Sequence, residues 1–274
     1  MTRAGYTGTP CTSPVVASWR SGAYRGRRRS CFAWLQLSRG TLMKFWRVIV
    51  AALLIVGGVL PAVGAESGVA VSALPLIERA AEVGGTTLVV MFSGDGGWSK
   101  LTEKVTVELN AAGYPVVGWN TLKYFWKAKT PEQAAGDLAV VIDRFSSAWR
   151  TQDVILVGYS MGADVLPGIV NRLPDAQLQR IRSLVLLAPE RATDYEFHFG
   201  GWLKHVPKAA LPVAPELARV PAAIAVMCIY GVEEADRSLC TEPEANRAAI
   251  TVIPLPGGHH FDGDYAALAR HVRE

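Results

Sequence analysis

The sequence predicts an α/β fold, in which helices cover both faces of a mainly parallel sheet. Three observations carry this prediction. Short β-branched runs alternate with segments of helical apolar spacing, as is typical of βαβ units. One apolar run leads directly into a Gly-x-Ser-x-Gly pentapeptide. Polar side chains suited to catalysis cluster just after the predicted strands, at the edge of a parallel sheet where ligands bind.

The predicted elements follow one another in a regular order. Thr130 precedes Pro131 and is predicted to cap the second helix, because proline suits the first helical position. A stretch rich in proline and glycine, 191–221, is predicted to be irregular. The predicted strands are 86–92, 115–119, 154–157, 183–188, 222–230 and 249–253, and the predicted helices are 101–112, 132–149, 163–170 and 265–272.

The first 65 residues have the features of an export segment. Residues 1–42 contain arginines but no acidic residue, and we expect them to be an upstream extension outside the native protein. Residues 43–65 combine a basic start, a short apolar run and small residues before Glu66, which predicts a cleavable signal peptide. A twin-arginine signal around Arg28 and Arg29 is the alternative. We therefore expect a periplasmic domain, 66–274, with no transmembrane segment in the mature chain.

Net charge separates this domain from proteins that bind nucleic acid. The whole chain has 28 basic and 24 acidic residues, a net charge of +4. Nine of the basic residues and none of the acidic ones lie in 1–65, so the mature domain has a net charge of −5. A basic surface is what nucleic-acid binding requires, and no direct nucleic-acid partner is predicted.

Two cysteines remain in the mature domain. Cys228 and Cys240 form an even pair in a chain that is expected to be exported, so we predict a disulfide between them. Their spacing fits no zinc-ligand pattern. No metal or other cofactor is predicted.

The pentapeptide at 158–162 places Ser160 between a predicted strand and a predicted helix, which is the setting of a nucleophile elbow. Glycine on either side permits the sharp turn, because a Cβ atom there would strike the neighbouring elements. A plain turn without chemistry is the alternative. If Ser160 is the nucleophile, the fold is an α/β-hydrolase fold and the protein is a serine hydrolase.

Acyl transfer also requires two N–H groups that bind the oxyanion. The residue after the nucleophile, Met161, supplies one in α/β-hydrolases, and a loop after an early strand supplies the other. The glycine-rich loop at 93–97 suits the second task, with Ser93 or Gly94 as donor. A phosphate-binding P-loop is excluded because no Gly-Lys-Ser/Thr follows.

The base and the acid are expected in loops after later strands. His260 is the predicted general base, because many hydrolases present this histidine within Gly-x-His-Phe, and His259 is then a substrate contact. Glu234 or Asp236 is the predicted acid, since the chain order Ser, acid, His is that of α/β-hydrolases. Asp194, after the preceding strand, is a weaker alternative for the acid.

Several long motifs resemble the bacterial VirJ/AcvB virulence-protein family, and the resemblance covers nearly all of 84–272. These motifs are far more specific than Gly-x-Ser-x-Gly alone. They are Phe92-Ser93-Gly94-Asp95-Gly96-Gly97-Trp98, Tyr124-Phe125-Trp126, Thr130-Pro131-Glu132-Gln133, Gly158-Tyr159-Ser160-Met161-Gly162-Ala163-Asp164-Val165-Leu166-Pro167, Cys228-Ile229-Tyr230-Gly231 and Gly257-Gly258-His259-His260-Phe261-Asp262-Gly263-Asp264-Tyr265.

This resemblance implies a periplasmic α/β-hydrolase. Some family members are linked to virulence and DNA export, so secretion-system proteins are expected partners. The AcvB branch is associated with hydrolysis of lysyl-phosphatidylglycerol, which implies a phospholipid substrate at a membrane surface. The chain is VirJ-like in size, since it lacks the extra N-terminal domain of AcvB proteins. Met161 stands where the family often has Phe, which should leave the N–H donor intact.

A lysyl ester carries ammonium groups, and acidic side chains near the predicted loops could bind them. We expect substrate contacts from Asp95, Trp98, His259 and Asp262, with Asp164 and Asp264 as further acceptors. The apolar residues Phe197, Phe199, Trp202 and Leu203 are expected in a cap or a lipid-facing edge, or alternatively in the core. The predicted function is that of a serine esterase acting on an aminoacyl ester. The alternative is a non-catalytic accessory protein of a secretion apparatus.

Overall fold

A computed structural model describes residues 70–82, 84–197, 210–245 and 249–274. The predicted extension at 1–42 and the predicted signal peptide at 43–65 lie outside these residues, as do Phe199, Trp202 and Leu203. Within the described ranges, none of the helices is both long enough and apolar enough to span a bilayer.

The central feature is a sheet that joins seven of the strands in the described residues, in the order β1-β3-β2-β4-β5-β8-β9. Only the pairing of β1 with β3 is antiparallel, and every other neighbouring pair is parallel. The predicted, mainly parallel sheet is confirmed. The strands are Leu76–Arg79 (β1), Thr87–Phe92 (β2), Val116–Trp119 (β3), Asp153–Tyr159 (β4), Ile181–Leu187 (β5), Ala192–Thr193 (β6), Leu211–Pro212 (β7), Ala225–Gly231 (β8) and Ile250–Leu255 (β9).

The longer helices lie where the sequence predicts them. Thr130 caps α3 as predicted, because its Oγ1 accepts from the Gln133 N–H at 3.1 Å while the Gln133 side chain accepts from the Thr130 N–H. The helices are Lys100–Ala111 (α1), Thr121–Tyr124 (α2), Pro131–Trp149 (α3), Met161–Val170 (α4), Asp175–Leu178 (α5), Ala214–Arg219 (α6) and Tyr265–Arg273 (α7), with short 3-10 turns at Val71–Ala73, Val232–Glu234, Leu239–Thr241, Pro243–Ala245 and Phe261–Gly263.

Apolar side chains pack on both faces of the sheet. Leu138 of α3 and Leu166 of α4 belong to one buried cluster, and Leu101 of α1 and Leu268 of α7 belong to the other. All six residues of β2 are buried, which is typical of a central parallel strand covered on both sides. The prediction of helices on both faces is confirmed.

The stretch predicted to be irregular, 191–221, contains some regular structure. β6 and β7 form a two-stranded antiparallel pair, and α6 follows β7. Helix α6 packs through the fully buried Leu217 into the same cluster as α4. The sequence does not indicate these elements, because each is too short to show a periodic pattern of apolar residues.

Candidate active site

Ser160 lies at the carboxyl end of β4, immediately before α4. Its backbone has φ 52° and ψ −126°, a combination that residues with a side chain rarely adopt. The Ser160 N–H donates to the Leu187 carbonyl at 2.9 Å, which fixes the turn to the neighbouring strand β5. The predicted strand–turn–helix is therefore present, and the strained residue within it is the serine.

The two glycines of the elbow, residues 158–162, occupy positions with no room for a side chain. A Cβ atom on Gly158 would lie 2.4 Å from the Gly162 carbonyl oxygen. A Cβ atom on Gly162 would lie 2.5 Å from the Ser93 carbonyl oxygen. Strand β4, helix α4 and the end of β2 therefore approach closely only because both residues are glycine, as the sequence predicts.

Helix α4 begins with free N–H groups next to Ser160. The first helical bonds are those in which the N–H groups of Ala163 and Asp164 donate to the Ser160 carbonyl, at 2.7 and 3.0 Å. Met161 comes before these donors, so its N–H has no acceptor within the helix. The start of a helix also favours negative charge. This geometry suits the predicted role of Met161 as an oxyanion donor.

The glycine loop, residues 93–97, lies against Ser160. A Cβ atom on Gly94 would lie 3.2 Å from the Cβ atom of Ser160. The Ser93 N–H, in contrast, donates to the Trp119 carbonyl at 3.0 Å, and its hydroxyl accepts from the Thr121 N–H. The prediction that Ser93 donates to the oxyanion is therefore wrong, because its N–H already belongs to the sheet. Gly94 stays the predicted donor of this loop.

Glu234 and His259 form the acid–histidine pair of the site. Glu234 Oε2 lies 2.9 Å from His259 Nδ1, and Glu234 is buried in the 3-10 turn that follows β8. Its other oxygen, Oε1, accepts from Arg237. Asp236 is exposed on the same loop. Of the two carboxylates left open by the sequence, the structure therefore joins Glu234 to a histidine.

The charge state of Glu234 determines which ring nitrogen of His259 carries a hydrogen. Burial alone would raise the pKa of Glu234, but hydrogen bonds from His259 and Arg237, together with the positive charge of Arg237, lower it below its ordinary value. An ionised carboxylate only accepts hydrogen bonds, so His259 Nδ1 must donate. The neutral ring then has an unprotonated Nε2, which is the nitrogen that a general base uses.

The prediction that the acid orients His260 is wrong, because Glu234 contacts His259 instead. The Phe261 N–H donates to the Gly258 carbonyl at 3.0 Å, so the two histidines occupy the central positions of a tight turn and their rings diverge by 77°. His260 is exposed, and its Nδ1 lies 3.0 Å from the Tyr159 hydroxyl. Because the turn intervenes, the histidine next to Phe261 is not the one that reaches Glu234.

Tyr159 connects the histidine loop, residues 257–262, to the elbow. Its hydroxyl lies 3.2 Å from the His259 carbonyl oxygen, to which it donates, besides its contact with His260. Burial, and then the charge of Glu234, raise the pKa of Tyr159, so this hydroxyl keeps its proton at ordinary pH. One buried side chain next to Ser160 thus holds the backbone of His259.

Three predicted substrate contacts have structural partners. Trp98 packs on Gly118 and donates to Glu103 Oε2 at 2.8 Å. The Asp264 side chain caps α7 by accepting from the Ala267 N–H at 2.9 Å. Asp262 folds over its own loop, where its Oδ1 lies 2.3 Å from the position of a Cβ atom on Gly257. These contacts account for the positions of all three side chains without any contact to a substrate.

A second group of carboxylates lies one helical turn from Ser160. Asp164 is buried, and its Oδ1 accepts from the Glu190 N–H at 2.7 Å. Burial raises the pKa of Asp164 well above its ordinary value, and the negative charges of Glu190 and Asp95 add to this shift. Asp95 itself is exposed in the glycine loop.

The predicted disulfide is confirmed. Cys228 of β8 and Cys240 are bonded, with 5.5 Å between their Cα atoms. The ring that this bond closes contains both Glu234 and Arg237. The cross-link therefore ties the acid-bearing segment to the central sheet.

Sequence reasoning missed Tyr159, Glu190 and Arg237. Tyr159 stands inside the quoted Gly-x-Ser-x-Gly motif, but its residue type alone does not indicate a bond across about a hundred residues. Arg237 follows Glu234 at a spacing of three, which is a usable signal for a salt bridge in a helical turn. Glu190 acts through its backbone, which no sequence pattern shows.

Comparison with known proteins assigns the chain to a family. A family model described as bacterial virulence protein (VirJ) matches residues 86–274. The chain belongs to the VirJ family. The matched range contains Ser160, Glu234 and His259. A search of curated proteins finds no match.

Solved structures confirm the α/β-hydrolase fold. Est1E from Butyrivibrio proteoclasticus is 12% identical with a TM-score of 0.53, and the match covers 72% of this chain and 90% of that chain. MenH from S. aureus is 11% identical, with a TM-score of 0.52 and coverage of 72% and 96%. The esterase EaEST from Exiguobacterium antarcticum is 14% identical, with a TM-score of 0.52 and coverage of 73% and 95%. At such low identity these likenesses show the fold alone.

Proposed function

We propose that this VirJ-family protein is a periplasmic serine esterase that cleaves the aminoacyl ester of an aminoacyl-phosphatidylglycerol, lysyl-phosphatidylglycerol above all. The observation that carries the hydrolase part is the strained backbone of Ser160, together with a histidine that is hydrogen bonded to a buried, ionised Glu234. A binding protein has no need for this combination.

The reaction proceeds in two halves. In the first, Ser160 Oγ attacks the ester carbonyl carbon while His259 Nε2 accepts the hydroxyl proton, and N–H groups of Met161 and Gly94 hold the oxyanion. The tetrahedral intermediate collapses, the bond to the glycerol oxygen breaks, and His259 returns the proton to that oxygen. In the second, water attacks the acyl-enzyme with His259 again as base, which releases the free amino acid and restores Ser160.

Acidic side chains support the choice of a cationic acyl group. Asp164 has a raised pKa because burial and two neighbouring negative charges disfavour its ionised form. A cation bound nearby would lower that pKa and be attracted in return. The exposed Asp95 lies in the loop that contacts Ser160, so its carboxylate is the accessible member of this group.

The direct test is hydrolysis of lysyl-phosphatidylglycerol in mixed micelles, followed as release of free lysine. The Ser160→Ala variant should lose activity by at least a thousandfold with an almost unchanged thermal midpoint, because the elbow glycines remain. Asp95→Asn is the matched specificity variant, and it should raise KM for the lysyl lipid while leaving hydrolysis of an uncharged short-chain ester intact. Activity retained in folded Ser160→Ala would end the serine-esterase proposal.

A further inference from the structure

A cleft of about 410 Å³ lies at the loop that follows β3, on the carboxyl edge of the sheet. We call it the lysine cleft, because three of the residues that line it are lysines. Its apolar wall comes from Leu74, Leu122 and Trp126, and its basic residues are Lys123, Lys127 and Lys129. Such a combination of apolar and cationic lining suits an amphiphile that carries negative charge.

The charge of this segment opposes that of the domain. Residues 120–131 contain three lysines and no acidic residue, whereas the mature domain is predicted to have a net charge of −5. Lys123 and Lys127 are exposed, and Lys129 is half-buried. A local positive surface on an acidic protein attracts anions selectively, because the remaining surface repels them.

An exposed aromatic side chain lies at the rim of the lysine cleft. Trp126 is 55% exposed, more than any other large apolar residue in the described part of the chain, and its ring stacks on Phe197 with 5.4 Å between centroids. The Phe197 N–H donates to the Phe125 carbonyl at 2.7 Å, which holds this pair in place. Tryptophan beside lysine is typical of surfaces that sit in the headgroup layer of a bilayer.

The walls of the lysine cleft are pre-organised. Asn120 caps α2 by accepting from the Lys123 N–H, and its own N–H donates to the Pro75 carbonyl, each at 3.0 Å. Lys129 Nζ lies 5.0 Å from the centre of the Tyr124 ring, in cation–π geometry. These contacts fix the basic segment before any ligand arrives.

The lysine cleft adjoins the candidate active site. A Cβ atom on Gly97 would lie 3.4 Å from Leu122 Cδ2, and one on Gly94 would lie 3.2 Å from the Ser160 Cβ atom. The glycine loop therefore contacts Ser160 through Gly94 and a wall residue of the cleft through Gly97. A headgroup held in the cleft would lie across this loop from the serine.

We propose that the lysine cleft docks the protein on the phosphate layer of an anionic phospholipid bilayer, with Trp126 and Phe197 in the interface. This proposal rests on the proposed function, since it explains how an enzyme for a lipid ester would hold its substrate surface next to Ser160. Phosphate groups satisfy the three lysines, and the lipid interface covers the apolar wall. Docking and chemistry are separable, because neither the lysines nor Trp126 belong to the proposed catalytic group.

The test is binding of purified protein to vesicles of phosphatidylglycerol and phosphatidylcholine, measured by co-sedimentation. The variant Lys123→Gln/Lys127→Gln/Lys129→Gln should bind about a hundredfold more weakly, because each basic residue near an anionic surface contributes about fivefold. The control Lys104→Gln/Arg144→Gln/Arg182→Gln removes the same charge from exposed residues of α1, α3 and β5 and should bind as the unmodified protein does. Equal losses in both variants would show general charge attraction and overturn the proposal, as would failure of the unmodified protein to bind.

Two further measurements keep docking distinct from catalysis. Brominated phosphatidylglycerol should quench tryptophan fluorescence of the unmodified protein, and Trp126→Phe should lose most of that quenching. Ser160→Ala should bind vesicles normally, and the triple lysine variant should hydrolyse a water-soluble ester at the normal rate. Unquenched Trp126 would overturn the docking proposal, whereas loss of esterase activity with normal docking would point to the chemistry instead.

Discussion

The elbow around Ser160 and the histidine loop around His259 are joined by Tyr159, yet different interactions hold each of them. The elbow is fixed by close packing of backbone, since Gly158 and Gly162 leave no space for a Cβ atom. The histidine loop is fixed by directional contacts, among them the bond from His259 to Glu234 and the bond from Tyr159. Steric packing thus sets the position of the proposed nucleophile, and polar contacts set that of the proposed base.

This difference predicts that substitutions in the two regions affect different properties of the protein. A change in the elbow should disturb packing between β2, β4 and α4, and hence the stability of the whole domain. A change among the polar contacts should leave the fold in place and lower turnover. The acid segment combines both properties, because a disulfide ties it to β8 while its carboxylate orients His259.

The largest effect is expected at Glu234. Glu234→Gln should lower kcat by about ten-thousandfold, because an amide no longer holds His259 in the tautomer that leaves Nε2 free. Asp236→Asn, on the same loop, is the matched control and should stay within a few-fold of normal. Steady-state kinetics on a soluble ester measures both, and a greater loss in Asp236→Asn would assign the acid to the other carboxylate.

Loss of the disulfide should affect stability first. The double change Cys228→Ser/Cys240→Ser should lower the free energy of unfolding by about 3 kcal/mol, from the chain entropy of a short loop. Turnover should fall as well, because Glu234 lies within the ring that the bond closes. Denaturant unfolding measures the loss of stability, and thiol titration counts free cysteines. Two free thiols in the native protein would show that the disulfide does not form.

The elbow glycines allow a matched comparison with a glycine elsewhere. Gly162→Ala should destabilise by about 1–3 kcal/mol, because its Cβ atom would lie 2.5 Å from the Ser93 carbonyl oxygen. Gly136→Ala should instead stabilise by up to about 1 kcal/mol, since Gly136 lies within α3 and a Cβ atom there meets nothing within 4 Å. Thermal unfolding of both variants is the measurement, and equal effects would show that elbow packing is not limiting.

The smallest effect is expected from pH. The pKa of Glu234 is lowered in the folded protein, so its bonds to His259 and Arg237 stabilise the fold above the unfolded value of about 4.3. That stabilisation is lost as pH falls from about 4.3 through the folded pKa. The free energy of unfolding should therefore decline more steeply on acidification in the unmodified protein than in Glu234→Gln, and parallel curves would contradict the bond.

The central parallel strands, the elbow and the disulfide could be predicted because each leaves a local mark in the sequence, whereas the short edge strand β1 has no such pattern. Ser160 needs flanking glycines, and the pair Cys228 and Cys240 needs only an oxidising compartment. The histidine that pairs with the acid could not be identified from the sequence, since His259 and His260 are adjacent in a tight turn and only the long-range contact with Glu234 distinguishes them. The sequence could not decide between Ser93 and Gly94 as oxyanion donor for a similar reason, because the Ser93 N–H donates to Trp119, a partner far along the chain.

In the proposed mechanism His259 activates Ser160, and Glu234 orients His259. The most direct measurement is the rate at which a fluorophosphonate probe labels Ser160 in the unmodified protein, in His259→Ala and in His260→Ala, with intact mass and peptide mapping to locate the adduct. Labelling should be nearly abolished in His259→Ala and only mildly slowed in His260→Ala, whose ring contacts Tyr159. Normal labelling in folded His259→Ala, with loss of labelling in His260→Ala, would show that His260 rather than His259 activates Ser160.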